Sequence, residues 1–417
     1  MLDIKFIREN PDVVKTAVKN KNIKLDVDLL LKIDMELLNV KNLIQNLSEE
    51  KNRLSLEIRN NNEEAKTRAL EVKVLIKENE EALKEKEQEF KKMMLLTPTI
   101  PSEEVPIGID ASFNVVTKKF GEIRKFDFKP KSHIELLDIN DLAEFNKITK
   151  ICGSRTLALK NNLARLEMAL WQFTYDILFE KGFTLFNLPS VVFEEALYGT
   201  GHFPNEIENT YALPKDKQYL TGTAEVVLNG IHKDEILNED DLPIKYAGFS
   251  PCFRREAGSY GKDIKGLIRV HQFMKVEQFI ITKNDLEESE KMYQFLLNNT
   301  EELLQKLKIP YQIIMCSTGD MGVGKYKMQD VECYLPSENR YIETHSCSNL
   351  HEFQARRTNI RYRENKTNKV KFVHTLNNTG LATPRILAAI IENYQERDGK
   401  IKIPEALRPY LRNLEWL

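Results

Sequence analysis

The sequence predicts an α+β protein: a mostly antiparallel sheet with flanking helices, preceded by an antiparallel coiled-coil helical hairpin. Three observations predict it. Two matched heptad seams run through the first hundred residues, and a proline-rich stretch follows them. From about residue 184 onward, short strand-like runs dominate, and helical patterns stand apart from them. That arrangement is typical of an α+β domain and not of a repeating βαβ unit.

The hairpin is predicted from seam residues that recur in alternating steps of three and four. The first seam runs through Leu30, Ile33, Leu37, Val40, Ile44, Leu47, Lys51, Leu54 and Ile58, and the second through Ala69, Val72, Ile76, Asn79, Leu83, Lys86, Phe90 and Met93. A polar turn at 59–65 joins them, so that the coiled-coil arm covers about 27–96. Each helix would be about 45 Å long. The seams alone fit either a structural or dimerisation rod or a probe that reaches a large partner.

A linker is predicted over 97–112, because the stretch TPTIPSEEVPIG at 97–108 is rich in proline. It separates an N-terminal domain, 1–100, from a C-terminal domain, 113–417. Helical patterns in the second domain lie at about 140–181, 285–307 and 383–396. The strand-like runs are FTLFNLPSVVF, QYLTGTAEVVL, IKYAGFSPCFRREA, LIRVHQFMKVEQFI, YQIIMCST, QDVECYLP and YIETHSCSNL.

The composition narrows the class of protein. Of the 417 residues, 41% are hydrophobic and 30% are charged, which is typical of a globular protein with a sizeable core. The formal charge of −2 means that any contact with nucleic acid depends on local basic patches. The five cysteines form no CxxC pair, the N-terminus is too charged for a secretory signal, and no apolar run is long enough for a membrane span. We therefore expect a cytoplasmic protein that makes no membrane contact.

Two common motifs are excluded. The stretch GDMGVGKY at 319–326 contains most of a phosphate-binding P-loop, but Tyr326 stands where that loop needs Ser or Thr. The residues after it also read as a strand, whereas a P-loop opens a helix. None of the seven histidines shows metal-ligand spacing, so no zinc is expected.

The stretch FRREAGSYGKDIKGLIRVHQFMKVEQF, 253–279, places unusual charge on what reads as two strands and a basic hairpin loop at 258–266. Strand alternation puts Arg254 and Glu256 on one face. On the returning strand it groups Arg269, His271, Phe273, Lys275 and Glu277 on one face, and Ile268, Val270, Met274 and Val276 on the other. The face is either a charged cross-strand ladder or a site for a polyphosphate and a purine, because arginine forks bind phosphate and an aromatic ring stacks on a base.

This stretch resembles the second signature motif of class II aminoacyl-tRNA synthetases, in the form found in seryl-tRNA synthetases of the bacterial type. Other likenesses follow in order along the whole chain: FNLPSVV around Pro189 resembles the first motif, a dimer-interface element, and TGTAEVVL (221–228) resembles the serine-binding Thr-x-Glu strand. ETHSCSNLHEFQARR (343–357) resembles the Glu-x-Ser-Ser-Cys-Ser-Asn segment, and TLNNTGLATPRILAAIIENYQ (375–395) resembles the third motif. The sequence departs from the family pattern at Thr344-His345 and at Asn378-Thr379.

The resemblance implies a set of site residues. Arg254, Glu256 and Arg385 would be catalytic, with Arg254 on the α-phosphate and the serine carboxylate, Glu256 on the adenine amino group and Arg385 on the γ-phosphate. The ATP site would also include Arg255, Phe273, Glu343, Thr344, His345 and Ser346, with Phe273 stacked on the adenine. L-Serine would be held by Thr223, Ala224, Glu225, Glu277, Asn377 and Thr379, with Thr223 and Glu225 on one strand face. Glu343 and Ser346 would bind Mg²⁺.

The resemblance also implies an activity and partners: ATP-dependent formation of seryl-adenylate, then transfer of serine to the 3′ end of tRNA(Ser), by a homodimer. The hairpin would be a tRNA-binding arm, with Lys32, Lys41, Arg53, Lys73, Lys77 and Lys84 available to phosphates. Whether tRNA(Sec) is also charged stays open. The alternative is a synthetase-like paralog that binds or charges another partner. The intact hairpin and the presence of Arg254, Glu256 and Arg385 argue against that alternative.

Overall fold

The structure is a computed structural model of the 417-residue chain, and it describes residues 1–59, 62–257 and 266–417. The chain divides into two compact units, Met1–Ile100 and Pro101–Leu417. Among the described residues, no helix combines the length and the apolar character that crossing a bilayer requires.

The first unit is helical. Its helices are α1 (Ile4–Glu9), α2 (Pro11–Asn20), α3 (Val27–Ile58) and α4 (Glu63–Leu96). Asp26 caps α3 by accepting a hydrogen bond from the Leu29 amide, and Asn62 caps α4 in the same way from the Ala65 amide. The predicted turn at 59–65 is shorter than expected, because α4 begins at Glu63; its residues 60 and 61 lie outside the described residues.

Helices α3 and α4 form the predicted hairpin. Leu47, Leu54, Ala65 and Val72 pack into one buried cluster along the arm. A second cluster closes its base, where Ile7, Val14, Val18, Val27, Leu30 and Met94 pack together. Ion pairs cross between the two helices, including Lys41 with Glu87 at 2.9 Å and Arg68 with Glu50 at 2.8 Å. The apolar seams therefore face each other, as the heptad pattern predicts.

The second unit is α+β. Its helices are α5 (His133–Ile139), α6 (Asn146–Cys152), α7 (Asn161–Glu180), α8 (Glu194–Thr200), α9 (Glu225–Gly230), α10 (Leu286–Lys306), α11 (Phe353–Thr358) and α12 (Arg385–Asn393). Its strands are β1 (Val115–Phe120), β2 (Ala143–Glu144), β3 (Ala158–Leu159), β4 (Thr184–Asn187), β5 (Val191–Phe193), β6 (Tyr211–Leu213), β7 (Gln218–Leu220), β8 (Ile236–Asn238), β9 (Ile244–Phe253), β10 (Gln272–Thr282), β11 (Tyr311–Met315), β12 (Lys327–Leu335), β13 (Arg340–His351), β14 (Arg361–Arg363), β15 (Val370–Phe372) and β16 (His374–Ala382).

Within the described residues, eight strands form one sheet in the order β1-β11-β12-β13-β16-β10-β9-β4. Neighbouring strands are antiparallel except for β4, which runs parallel to β9 at the edge. Smaller sheets are β15-β14-β8, β5-β7-β6 and β2-β3. The mostly antiparallel sheet confirms the predicted fold class.

One side of the large sheet is closed by helices. Leu163, Leu166 and Leu170 recur at helical spacing on α7, and Ile386 and Ile390 do so on α12. These side chains are buried in the main core, together with residues of the sheet such as Val276, Val331 and Leu376. The other side of the central strands remains open to a cavity, which the next subsection describes.

In the second unit, three of the predicted elements differ from the structure. Residues 267–271 read as strand but lie outside β10, which begins at Gln272. Ile268 and Val270, which strand alternation placed on the opposite face from Arg269, therefore lie beside the cavity with it. In the run at 218–228, only β7 is a strand and Glu225 begins α9. The helical pattern at 140–181 is split by β3 into α6 and α7. Of the predicted hairpin loop at 258–266, residues 258–265 lie outside the described residues.

Candidate active site

A cavity of about 390 Å³ lies over the central strands of the large sheet. Its walls come from β10, β13 and β16, from the first residue of α12, and from the segments 223–225, 268–270 and 322–325. Polar and charged side chains predominate in the lining. A cavity of this size with converging polar groups is the kind of site that holds a small molecule.

Two arginines supply positive charge at one end of the cavity. Arg385 donates through Nη1 to the backbone oxygen of Glu343 at 2.9 Å and to its Oε2 at 3.1 Å. It also donates through Nε to the Ile268 oxygen at 3.0 Å. The Arg254 guanidinium lies 5.2 Å from the centroid of the Phe273 ring, in a cation–π arrangement. The two groups are placed to meet an anion that enters the cavity.

Glu256 lies at the neighbouring wall. Its Oε2 accepts from Arg269 Nη1 at 2.6 Å, and its backbone oxygen accepts from Arg155 Nη1 at 3.2 Å. Its φ of 53° is left-handed, a conformation that is uncommon outside glycine and that is found at functional sites when surrounding contacts hold it. The Arg269 contact holds the Glu256 carboxylate and the Arg155 contact holds its backbone, at the wall of the cavity that Phe273 also lines.

The floor of the cavity is a buried, hydrogen-bonded group of side chains. Lys275 Nζ donates to Thr223 Oγ1 at 2.6 Å and forms an ion pair with Glu277 Oε2 at 2.5 Å. Asn377 Nδ2 donates to Glu277 Oε1 at 2.9 Å. Glu277 is fully buried, so these contacts offset the cost of its charge. Glu225 is buried nearby and accepts from Gln354 Nε2 at 2.6 Å.

Strand β13 presents oxygen atoms to the cavity. Glu343 is 48% exposed but opens into the cavity and not into bulk solvent. Crowding by protein atoms there would raise the pKa of its carboxyl, but the guanidinium groups of Arg385 and Arg254 hold that pKa below its ordinary value. Glu343 is thus ionised at neutral pH. Ser346 lies on the same strand, directly opposite Asp330 of the neighbouring strand β12. Burial, and secondly the charge of Glu343, raise the pKa of Asp330 to about 7.

The structure brings most of the predicted site residues into this one cavity. The predicted residues that are found in its lining are Thr223, Glu225, Arg254, Glu256, Phe273, Glu277, Glu343, Thr344, Ser346, Asn377, Thr379 and Arg385. Thr223 and Glu225 meet there without sharing a strand face, contrary to the sequence prediction, because a turn into α9 brings them together.

Three predicted residues are not in the lining. Ala224 is fully buried in a core cluster behind the cavity. Arg255 is exposed, and its amide donates to the Asn209 oxygen. His345 is buried, and its Nδ1 lies 2.8 Å from Thr344 Oγ1. Burial lowers the pKa of His345 to about 4, so its ring is neutral.

The site set assigned from the sequence omitted several lining residues. Arg269 and Lys275 stand on the predicted polar face of the second strand, so their even spacing from Phe273, four and two residues, was an available signal. Gly322, Val323, Gly324 and Lys325 belong to the rejected P-loop stretch and also line the cavity. Gln354, which holds Glu225 and also accepts from Thr375 Oγ1 at 2.8 Å, gave no signal because it lies far away in sequence.

Three residues of metal-ligating types lie close together on β12 and in the segment that follows β11. Within the described ranges, ligand atoms of Cys316, Asp320 and Asp330 lie within 4.8 Å of one another. Burial raises the pKa of the Cys316 thiol far above its ordinary value. The thiol is therefore protonated, which makes it a poor ligand because metals bind the thiolate.

The fold and the cavity define the catalytic core of a class II aminoacyl-tRNA synthetase. Residues 210–394 match the family described as the tRNA synthetase class II core domain (G, H, P, S and T). Residues 1–101 match the family described as the seryl-tRNA synthetase N-terminal domain. The chain belongs to the seryl-tRNA synthetase family.

Individual relatives agree over the whole length. The serine–tRNA ligase of Deinococcus radiodurans is 44% identical over 421 residues, covering 100% of this chain and 99% of that protein. A solved seryl-tRNA synthetase from Pyrococcus horikoshii, complexed with ATP, superposes with a TM-score of 0.92 at 37% identity, covering 100% and 99% of the two chains. The cytoplasmic serine–tRNA ligase of Naegleria fowleri, in complex with AMP, gives 0.87 at 29% identity, covering 100% and 98%. The predicted family and fold are confirmed, and the paralog alternative is not favoured.

Proposed function

We propose that this chain activates L-serine with ATP to seryl-adenylate and transfers the serine to the 3′ end of tRNA(Ser). The observation that supports this most strongly is the cavity itself. It joins a pair of arginines suited to phosphate, Arg254 and Arg385, to a buried hydrogen-bonding floor built on Glu277. A member of the seryl-tRNA synthetase family that keeps both halves has what the first reaction step requires.

The floor is the proposed serine site. The Glu277 side chain offers acceptor oxygens that can hold the serine ammonium, and Asn377, Thr379 and Thr223 offer groups that bond to a hydroxyl. An amino acid without the hydroxyl would leave some of these buried groups unpaired, at a cost that a purely steric pocket does not impose. The floor therefore favours serine over alanine by hydrogen bonding.

The end of the cavity that holds Arg254 and Arg385 is the proposed ATP site. Phe273 offers a ring face to the adenine and Glu256 an acceptor to its amino group, while Arg385 faces the γ-phosphate. Arg254 would hold the α-phosphate and the serine carboxylate, where negative charge accumulates as the carboxylate oxygen attacks phosphorus and pyrophosphate leaves. No protein nucleophile is needed, because both substrates are held in one cavity. Thr344 contributes to this site, and His345, behind it, is left out.

Mg²⁺ accompanies ATP, and the donor set fits it. The carboxylate of Glu343 and the hydroxyl of Ser346 are hard oxygen ligands on one strand, next to the place proposed for the phosphates. Bound there, the ion would neutralise part of the phosphate charge. Glu343 is kept ionised by the two arginines, so it is ready to bind a cation.

The N-terminal unit, 1–100, is the proposed tRNA-binding domain and 113–417 the catalytic domain. Of the arm cations predicted to meet phosphates, Lys41, Arg53 and Lys77 contact glutamates in ion pairs at 2.9 to 4.0 Å. These pairs are exposed, so each stabilises the arm by only about 0–1 kcal/mol and a phosphate can replace the carboxylate. Lys32, Lys73 and Lys84 are exposed. Mixed charges along a rod suit shape-based contact with an RNA backbone.

Serine-dependent exchange of pyrophosphate into ATP tests the activation step. We expect exchange with serine at a kcat/KM at least about 100-fold above that with alanine, because the floor groups lose hydrogen-bond partners with alanine. Threonine, which keeps the hydroxyl and adds a methyl, is the informative second competitor. Equal rates with serine and alanine would contradict the assignment of the floor, and no exchange with any amino acid would contradict the activity. A separate charging assay, which measures transfer of serine to a tRNA(Sec) transcript, decides whether that tRNA is a second substrate.

A homodimer built through the C-terminal domain is also proposed, in the cytoplasm. The elements around Pro189 expose large apolar side chains: Phe193 is 63% exposed, Phe179 68% and Met168 61%. Burying these side chains against a second copy of the chain would remove apolar surface from water. A protein lacking residues 1–100 is therefore expected to remain a dimer by light scattering, at the concentration where the full chain is a dimer. A monomeric truncated protein beside a dimeric full chain would place the interface in the arm instead.

A further inference from the structure

A buried histidine–glutamate pair lies behind the active site. His133, the first residue of α5, is 3% exposed, and Glu392 on α12 is fully buried. Glu392 Oε1 accepts from the His133 amide at 2.9 Å and lies 2.8 Å from His133 Nδ1. Its Oε2 accepts from the Ser337 amide at 3.1 Å. The carboxylate therefore has two backbone donors besides the histidine ring.

The other side of the ring meets the segment that lines the cavity. The Leu267 amide donates to His133 Nε2 at 3.3 Å. A backbone amide is only a donor, so Nε2 must be unprotonated and Nδ1 must carry the proton that is donated to Glu392. The ring comes so close that a Cβ on Gly266 would lie 2.6 Å from Nε2. Gly266 has a φ of 92°, which also favours glycine at this position.

Helix α12 thus contacts the segment 266–268 at two points. Both contacts lie next to residues of the proposed ATP site. At its first residue, Arg385 Nε donates directly to the oxygen of Ile268. Two turns later, Glu392 reaches the amide of Leu267 through His133. Arg269, which follows Ile268 in the chain, donates to the carboxylate of Glu256. The oxygen that orients Arg385 and the arginine that fixes Glu256 therefore lie within two residues of the His133 contact.

We propose that His133 is a positioning residue for the ATP site. It clamps residues 266–268 to α12, which fixes the Ile268 oxygen under Arg385 and sets Arg269 against Glu256. The inference rests on the proposed function, because Arg385 and Glu256 matter as ATP ligands. The serine floor has no part in the clamp, since Thr223, Lys275 and Asn377 lie on other elements. Loss of the clamp should consequently weaken ATP binding and leave serine binding intact.

Two substitutions distinguish the hydrogen bond at Nε2 of His133 from the hydrogen bond at Nδ1. In His133→Gln, the side-chain oxygen can take the place of Nε2 and accept from Leu267. In His133→Asn, the shorter amide can replace only Nδ1, donating to Glu392 and losing the Leu267 contact. Both variants keep the backbone donors of Glu392, so both should fold. His232→Gln is the matched control, because His232 is likewise held between a carboxylate, Glu235 at 2.7 Å, and the Tyr246 hydroxyl at 2.7 Å, and does not line the cavity.

The dissociation constant of ATP without amino acid, measured by titration calorimetry, is the first readout, and the KM values for ATP and serine in pyrophosphate exchange are the second. We expect His133→Asn to weaken ATP binding and raise the KM for ATP by about fivefold to tenfold, the scale of one buried hydrogen bond. The KM for serine should stay within about twofold. His133→Gln and His232→Gln should lie close to the unmodified protein in all three quantities, with similar melting temperatures.

Three results would overturn the proposal: unchanged ATP binding in His133→Asn, equal losses in the Asn and Gln variants, or losses for ATP and serine together with a lowered melting temperature. The last two would make His133 a structural residue. Failure of the proposed function is separately visible. An unmodified chain that binds ATP but shows no serine-dependent exchange contradicts the activity, while the calorimetric comparison still decides on His133. A chain that binds no ATP overturns both.

Discussion

Replacing Arg254 with alanine is expected to nearly abolish serine-dependent pyrophosphate exchange, with kcat falling by about 10² to 10³, or about 2.7–4 kcal/mol of transition-state stabilisation. Arg254 and Arg385 both lie at the cavity, but only Arg254 is proposed to meet the attacking carboxylate and the α-phosphate at once. Its contribution should therefore be larger in the transition state than in the bound substrates, which lowers kcat and not merely affinity.

The control is Arg363→Ala, an exposed arginine on β14 that lies outside the cavity lining and changes the net charge equally. It should retain the unmodified rate. A loss confined to KM in Arg254→Ala, with kcat preserved, would reduce Arg254 to a binding residue. Exchange at the unmodified rate would show that its assignment is wrong.

The second large effect concerns the arm. Deleting residues 35–90 and joining the ends with a short linker should spare adenylate formation and reduce tRNA charging by at least about 100-fold, the scale expected when several phosphate contacts are lost together. The deletion removes the arm cluster of Leu47, Leu54, Ala65 and Val72 as a whole. It keeps the buried base cluster, including Ile7, Leu30 and Met94, and the ion pair of Arg8 with Asp34 at 2.6 Å. The rest of the N-terminal unit therefore keeps most of its core.

A finer variant tests whether the arm acts through charge. Replacing Lys32, Lys73 and Lys84 together with alanine should weaken tRNA binding and flatten its salt dependence, since fewer counterions are released. Replacing Glu78, Glu80 and Glu85, which are also exposed on the arm, with glutamine changes the charge by the same amount in the opposite direction and should not weaken binding. Removing the long variable arm of the tRNA should reproduce the loss with the intact protein. An arm-deleted protein that charges tRNA(Ser) as well as the full chain would make the hairpin a rod.

Much of the fold could be predicted from the sequence, because its signals are local and periodic. The seams that contain Leu47, Leu54 and Val72 predict a helical hairpin. Strand β10 shows alternation from Phe273 to Glu277, with Val276 on the buried side. The segment 267–271 misled the prediction because its alternation is equally clear. Tertiary contacts from His133 and Arg385 hold it outside the sheet, and no local pattern encodes such contacts.

The site was predictable in its types of residue and less so in its geometry. Resemblance located Glu277 and Asn377, but their contact at 2.9 Å, and the ion pair that Lys275 adds, depend on the register of β10 with β16 and on distances between side chains. His345 shows the limit most plainly. It lies between two residues that face the cavity, Thr344 and Ser346, and an irregularity in the pairing of β12 with β13 places its ring in the interior.

The central claim is that the cavity and the arm together attach serine to tRNA(Ser). The most direct measurement is the ATP-dependent transfer of radiolabelled serine to a transcribed tRNA(Ser), followed to a plateau, with labelled alanine and with a transcript that lacks the long variable arm as parallel reactions. We predict that the label from serine reaches the 3′ end of the full transcript, and that alanine and the shortened transcript give little or none. If adenylate forms but no serine reaches tRNA(Ser), or if both transcripts are charged equally, the account is contradicted.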